Sequence, residues 1–199
     1  MNWETENLGT ICNIEIGGTP SRKNLKFWDI DKKTNNVWLS IADMNNTKDL
    51  KVNDSIEYLS NEGAKKVRIV KKGTLLMSFK LTVGRLAFAK RDLRTNEAIA
   101  ALNIKDENKI LKKYLYYYFL YFNWDINSEN TIKLLGKTLN KNKLNKIKIN
   151  YPKIKIQKDI IVQLDNMVSE TQKIIKIQNN KFIALKNLIN SHAKNLINY

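Results

Sequence analysis

The sequence predicts an α+β fold: a mixed α/β body over residues 1–152, followed by one long C-terminal coiled-coil helix over residues 153–199. Three observations predict it. From Ile161 an apolar residue returns every seven positions, at Val168, Ile175, Phe182, Ile189 and Leu196, with Leu164 and Leu185 between them. Such a repeat specifies a long helix with a seam that meets another helix. No Pro or Gly follows Pro152, so nothing interrupts that helix. Upstream, short β-type runs alternate with Gly and Pro turn signals, and one stretch near residues 110–122 carries helical spacing.

Taken in order, residues 10–16 read as a strand ended by the turn Gly17-Gly18-Thr19-Pro20, and Phe27-Trp28 anchors the loop beyond it. Residues 37–41 form a second strand. Ser60 caps a short helix that runs through Lys66. Lys72-Gly73 turns the chain into 74–79, Thr82-Val83-Gly84 turns it again, and 85–89 resumes an extended pattern, so 74–89 is a hairpin. Residues 98–104 are another apolar strand. Ile110, Leu111, Tyr114, Leu115, Tyr118, Phe119 and Phe122 line one helical face that belongs to the core. Residues 144–149 alternate Leu, Ile and Lys like a strand with one wet face. Tyr151-Pro152 marks the boundary, and the last helix begins near Gln157. Some 40 residues of helix make a rod of roughly 60 Å. The 110–122 helix is too short to cover it, so the seam is assigned to another chain.

Composition narrows the function. The chain has 199 residues, 43% of them hydrophobic, and only two Pro: one domain plus an appendage, and not a disordered polymer. No apolar run approaches 18 residues, so no membrane partner is expected. Residues 1–9 carry two Glu and no apolar stretch, unlike a signal peptide. The single cysteine, Cys12, excludes an internal disulfide and a cysteine zinc site, and a cytoplasmic location follows. The net charge of +16 points to a polyanion. Lysines outnumber arginines 30 to 5 and Asn and Ile abound, a bias that AT-rich coding also produces, so position says more than the total. Between residues 130 and 158 there are nine lysines and no acid.

Catalytic constellations are missing. His192 is the only histidine and sits on the helix seam, so neither a His-based triad nor a His-rich metal site can be assembled. Gly136-Lys137-Thr138 is like the end of a phosphate-binding loop, but Thr131 stands where the first Gly is required. Neither Pro follows Asn or Asp, which rules out the Asn/Asp-Pro-Pro-aromatic motif of adenine methyltransferases. The sequence reads as a binder of nucleic acid with no chemistry, metal or cofactor of its own.

Several segments, in order, resemble one family. Gly17-Gly18-Thr19-Pro20-Ser21, Phe27-Trp28 and Trp38-Leu39-Ser40-Ile41-Ala42-Asp43-Met44 are similar to the start of a target recognition domain from the specificity subunit of type I restriction-modification systems. Lys72-Gly73-Thr74-Leu75-Leu76-Met77-Ser78-Phe79, Thr82-Val83-Gly84-Arg85 and Asn96-Glu97-Ala98-Ile99 continue the pattern. So do Gly136-Lys137-Thr138-Leu139-Asn140-Lys141, Leu144-Asn145-Lys146-Ile147 and Tyr151-Pro152, and Gln157 with Ile160 to Asp165 resembles the opening of the family's helical region. The resemblance implies a non-catalytic protein that binds double-stranded DNA and recruits two kinds of partner. These are methyltransferase subunits, which use S-adenosylmethionine, and a restriction/translocase subunit, which uses ATP and Mg. A full-length member carries two recognition domains and two helices packed antiparallel. This chain has one of each and resembles a half-subunit, which implies an antiparallel homodimer. Gln178 lies next to the midpoint of the seam and would set register at the dyad. The alternatives are a stand-alone coiled-coil DNA-binding regulator and a recombination cassette for a longer specificity subunit.

Reading DNA needs side chains at base edges, with phosphate contacts setting register. The first candidate is the hairpin turn with Lys80, Thr82 and Arg85, because a bidentate guanine contact needs an arginine fork. The second is the basic stretch with Lys133, Lys137, Asn140, Lys141 and Lys143, where lysines suit phosphates and Asn140 suits adenine. The third is Arg22 and Lys23, on the loop after Pro20.

Overall fold

A computed structural model describes residues 3–46, 50–80, 82–122, 124 and 140–197, with side chains through residue 193. The chain begins with β1 (Glu4–Asn7), α1 (Leu8–Ile11), β2 (Cys12–Ile16), a 3-10 turn (Leu25–Phe27), β3 (Val37–Leu39), α2 (Ile41–Asn46), β4 (Lys51–Val52), β5 (Glu57–Tyr58) and α3 (Asn61–Ala64). It continues with β6 (Leu75–Ser78), β7 (Leu86–Ala89), β8 (Arg94–Thr95), β9 (Ile99–Ile104), α4 (Lys112–Leu120), α5 (Lys141–Asn145), β10 (Lys148–Tyr151) and α6 (Ile154–Ile197). Its compact units are Met1–Gln157 and Lys158–Tyr199.

The central sheet has the order β2-β9-β6-β7-β4. β9 pairs antiparallel with β2 on one side (Ile14 opposite Leu102) and with β6 on the other (Leu76 opposite Ala101). Its run Ile-Ala-Ala-Leu is buried throughout, as a strand covered on both faces must be. β6 and β7 form the hairpin expected over 74–89. Leu76, Ala87, Ile99 and Ala101 join Val37, Leu39, Val70 and Leu93 in one apolar cluster. Leu75 and Met77 point to the opposite face by the two-residue period and are fully buried. α4 packs on β7 through Phe88 and Tyr116, whose rings lie 5.4 Å apart.

A second sheet, β5-β3-β8, was not legible from pattern because its outer strands have two residues each. β3 divides the core by alternation: Val37 and Leu39 face the main cluster, while Trp38 turns to a smaller one with Leu59, Ala64, Val67 and Trp28. The third sheet pairs β1 with β10. β1 reads Glu-Thr-Glu-Asn, with no apolar signal; Tyr151 explains it, donating its hydroxyl to Glu6 at 2.7 Å and Glu4 at 3.2 Å, while Lys109 pairs with Glu6. The Lys109 hydrogen bond, and then that of Tyr151, hold the Glu6 carboxyl below its ordinary range.

Three expectations are corrected at element ends. Residues 10 and 11 belong to α1, and the strand begins at Cys12. The second strand stops at Leu39, because Ser40 and Asp43 cap α2 reciprocally: Ser40 N–H donates to Asp43 at 2.8 Å and Asp43 N–H to Ser40 Oγ at 3.3 Å. Residues 144 and 145 end a helical turn, and the strand is Lys148–Tyr151. Here too a cap overrides the alternation, since Asn140 accepts from Lys143 N–H at 2.9 Å. The cap expected at Ser60 is present, accepting from Gly63 N–H at 3.1 Å, although α3 ends at Ala64.

α6 starts at Ile154, ahead of Gln157. Gln157 is fully buried; its oxygen accepts from Leu111 N–H at 2.9 Å, and its amide donates to Lys109 O at 2.9 Å and Pro152 O at 2.8 Å. One side chain thereby satisfies backbone groups of the chain entering α4 and of the turn entering α6. Over its 44 residues α6 is about 66 Å long. Ile161, Leu164 and Val168 are half-buried, whereas every residue from 169 to 193 is exposed. The seam residues Ile175, Gln178, Phe182, Leu185 and Ile189 are therefore open, Phe182 at 68% exposure; the side chain of Leu196 lies outside the described residues. Among the described residues no helix is long and apolar enough to cross a membrane.

Gln157→Leu should destabilise the protein by about 2–4 kcal/mol, because three backbone groups lose their partner. Gln163→Leu, on an exposed position of α6, should stay within about 0.5 kcal/mol. Urea unfolding of both variants at one fixed protein concentration checks this.

Candidate nucleic-acid interface

Strand register decides which candidate residues meet. Ile16 lies opposite Ala100, and Ser78 opposite Ile99. The end of β2, the end of β6 and the beginning of β9 therefore share one end of the central sheet. The loop with Arg22 and Lys23 and the hairpin tip with Lys80, Thr82 and Arg85 emerge there. α5, with Lys141 and Lys143, packs against α1 and the opposite end of β2, about 14 Å away along the strand. Lys133 and Lys137 lie outside the described residues. The described candidates thus form two groups at opposite ends of β2.

The first loop is built around close approach and aromatic stacking. Gly18 N–H donates to Thr95 O at 2.8 Å, and a Cβ added to Gly17 would fall 2.1 Å from that same oxygen. Only glycine allows β2 to end against β8. Trp38 Nε1 donates to Gly18 O at 2.9 Å, and Trp28 Nε1 to Ser21 O at 3.2 Å. The two indoles meet edge to face at 5.1 Å. The Arg22 guanidinium lies 4.0 Å over Trp28 and 4.8 Å over Trp38, and its fork grips the Glu57 carboxylate, with Nη2–Oε2 at 2.9 Å. That hydrogen bond raises the guanidinium further above its ordinary value. Thr19 donates to Glu97. Partial desolvation raises the Glu97 carboxyl, but Thr19, a backbone N–H and the charges of Lys80 and Arg22 prevail and lower it.

This geometry gives two sequence candidates a different job. The Arg22 fork is occupied by Glu57 and its face by the tryptophans, so it braces the loop, and Lys23 beside it is exposed. The Asn140 oxygen that a bidentate adenine pair would use accepts the α5 capping bond. The commitment of Arg22 does not show in local sequence, since Glu57 is 35 residues away, whereas the Asn140 cap spans only three residues.

The other arginines sharpen the contrast. Arg68 pairs with Glu15 at 3.6 Å, Arg91 donates to Asn35 at 3.1 Å, and Arg94 donates to Ala64 O at 2.9 Å and Asn36 at 3.1 Å. Arg85 alone has an exposed guanidinium with no hydrogen bond or ion pair among the described residues. It sits at the hairpin tip beside Gly84, whose φ of 83° is left-handed and against which Trp124 lies. Lys80 is half-buried, with Nζ 5.7 Å from the Phe79 ring, and Thr82 is half-buried. Lys141 is exposed and Lys143 half-buried. Among the described residues no three His, Cys, Asp or Glu side chains gather as a metal site.

Comparison with known proteins fits this architecture. Residues 1–185 match the family described as the Type I restriction modification DNA specificity domain. The type I restriction enzyme MjaIX specificity subunit of Methanocaldococcus jannaschii is 26% identical over 183 residues, covering 86% of this chain and 40% of that protein. This chain thus spans two fifths of the length of that relative. The HsdS subunit from Thermoanaerobacter tengcongensis superposes with a TM-score of 0.64 at 20% identity, over 84% of this chain and 38% of that one. A chain from a study of complex assembly and conformational transition of the type I R-M system superposes with a TM-score of 0.71 at 19% identity, over 94% of this chain and 43% of that one. Both likenesses are of fold.

Gly17→Ala should cost about 1–3 kcal/mol by forcing β2 away from β8. Gly18→Ala should be tolerated, since the nearest atom to its Cβ is Val67 Cγ2 at 4.0 Å. Thermal unfolding of the two neighbouring variants provides the comparison.

Proposed function

This chain belongs to the type I restriction-modification DNA specificity family, and from that premise we propose that it is a sequence-specific DNA-binding subunit that directs methyltransferase and restriction/translocase subunits to a bipartite target. It performs no chemistry itself; S-adenosylmethionine, ATP and Mg enter through those partners. The observation that carries the reading is Arg85, the one arginine fork without a hydrogen bond or ion pair among the described residues, at the tip of a tight hairpin. We assign it to a guanine edge in the major groove. Lys23, Lys80, Lys141 and Lys143 serve phosphates, together with the basic segment that contains Lys133 and Lys137. Thr82 lies beside Arg85 on the same tip.

The seam from Ile161 to Leu196 receives a second copy of α6, antiparallel, with Gln178 near the dyad. Two bodies then sit at opposite ends of the helix pair and read half-sites related by two-fold symmetry, so the target is an interrupted palindrome. A parallel pair would hold both bodies at one end and could not do this.

Arg85→Ala should relax discrimination at one base of each half-site by about 1–3 kcal/mol, whereas Lys141→Ala should weaken all sequences alike and make the salt slope shallower. Binding isotherms across a salt series separate these outcomes, and a uniform loss in Arg85→Ala would make that residue a phosphate contact. For the dimer, Met167→Cys should crosslink to Leu188→Cys in a mixture of the two variants, and neither to itself. Cys12 does not compete, because burial pushes its thiol up to about 12. Self-crosslinking of Met167→Cys would mean a parallel pair, and a monomeric mass at micromolar concentration would remove the half-subunit reading.

A further inference from the structure

The hairpin that carries Arg85 closes on one buried hydroxyl. Ser78, the last residue of β6, is fully buried. Its neighbours Leu75, Leu76, Met77 and Phe79 are apolar and equally buried, so a hydroxyl here is an exception that costs free energy unless its bonds are made. They are made, and all go to the hairpin tip. Ser78 Oγ donates to Thr82 O and accepts from Arg85 N–H at 3.1 Å. The Ser78 backbone N–H donates to Arg85 O at 2.9 Å, and Ser78 O accepts from Gly84 N–H at 3.0 Å. One residue therefore holds three of the four residues from 82 to 85. Arg85 is fastened through both its backbone N–H and its backbone C=O, while its guanidinium has no hydrogen bond or ion pair among the described residues.

We infer that Ser78 is a positioning residue for DNA discrimination: it touches no nucleic acid, and its hydroxyl sets the direction in which Arg85 leaves the hairpin. The inference rests on the reading of Arg85 as a base contact. A bidentate pair tolerates little displacement, and a long side chain on a loose tip would meet a phosphate as readily as a base edge. Ladder bonds alone keep the strands paired; the hydroxyl adds the link to Thr82 O, across the turn.

The test uses the whole 199-residue chain and a randomised duplex DNA library, with bound molecules sequenced to give the preference at every position. Arg85→Ala should erase a guanine preference at one position per half-site. Ser78→Ala should weaken that same preference about tenfold, leaving other positions and the affinity for a non-target duplex within about twofold. Ser78→Thr, which keeps the hydroxyl, should restore it, and Ser78→Ala combined with Arg85→Ala should look like Arg85→Ala alone. If Ser78→Ala fails to fold by far-UV circular dichroism, Ser78→Cys, with its weak hydrogen bonding, takes its place under the same expectations. An unchanged preference, or an equal loss at all positions, would overturn the role of Ser78 while leaving that of Arg85 intact. Retention of the guanine preference in Arg85→Ala would overturn the reading beneath both.

Discussion

The pairing of β9 on both of its edges is the constraint on which the rest of the body depends. β2 and β6 are 59 residues apart from Ile16 to Leu75, and each is registered on β9. That common template is why Gly17 and Phe79 lie at one sheet end, with Gly17 N–H bonded to Ile99 O at 3.2 Å and Phe79 N–H to Ala98 O at 3.0 Å. A slip of one residue in either pair would exchange the side chains of one strand between its two faces, and close packing on both faces forbids it. The same register separates the hairpin tip from α5, so any DNA that touches both must follow the length of β2.

Charge is distributed by a related logic. Four arginines fasten loops across long sequence distances: Arg22 to Glu57, Arg68 to Glu15, Arg91 to Asn35 and Arg94 to Asn36. A planar fork makes several bonds at fixed angles, so it suits this work better than an ammonium. Lysines, compact and strongly hydrated, are left to the surface, where they suit phosphates. The excess of lysine that coding bias helps to create is thus also usable. The rare residue is the informative one, because an arginine not needed by the fold stands apart.

What could be read in advance was whatever local chemistry decides. The hairpin follows from Gly73 and Gly84, both in left-handed conformations, between apolar runs, and the Ser60 cap and the long helix follow from spacing alone. Two of the three misread ends share one cause. At Ile41 and Leu144 an extended-looking alternation lies just behind a capping side chain, and the cap prevails. β1 has no signal because its reason, the Tyr151 hydroxyl, is some 145 residues away. In the candidate site, Arg85 and the turn around it were visible. The commitment of Arg22, the cap on Asn140 and the bond network of Ser78 were not, although a lone hydroxyl within Leu75-Leu76-Met77-Ser78-Phe79 was a mark of something to explain.

The seam of α6 presses the argument for a partner furthest. Ile174, Ile175, Phe182, Leu185, Leu188 and Ile189 each expose more than half of their surface. Helices of this kind draw stability from burying an amphipathic face, with propensity a minor contribution, and this one has Asn179, Asn180, Asn187 and Asn190 among its turns. An exposed apolar stripe on a residue set of modest helix propensity is not a stable arrangement for a solitary chain in water. On the proposed reading a second copy supplies the missing surface. The polar residues on the seam, Thr171, Gln178 and His192, then act against misalignment. Thr171 already satisfies its hydroxyl by donating to Met167 O at 2.8 Å. Gln178 has no such partner among the described residues, so its burial in a pair costs least in the register that gives its amide an acceptor across the seam.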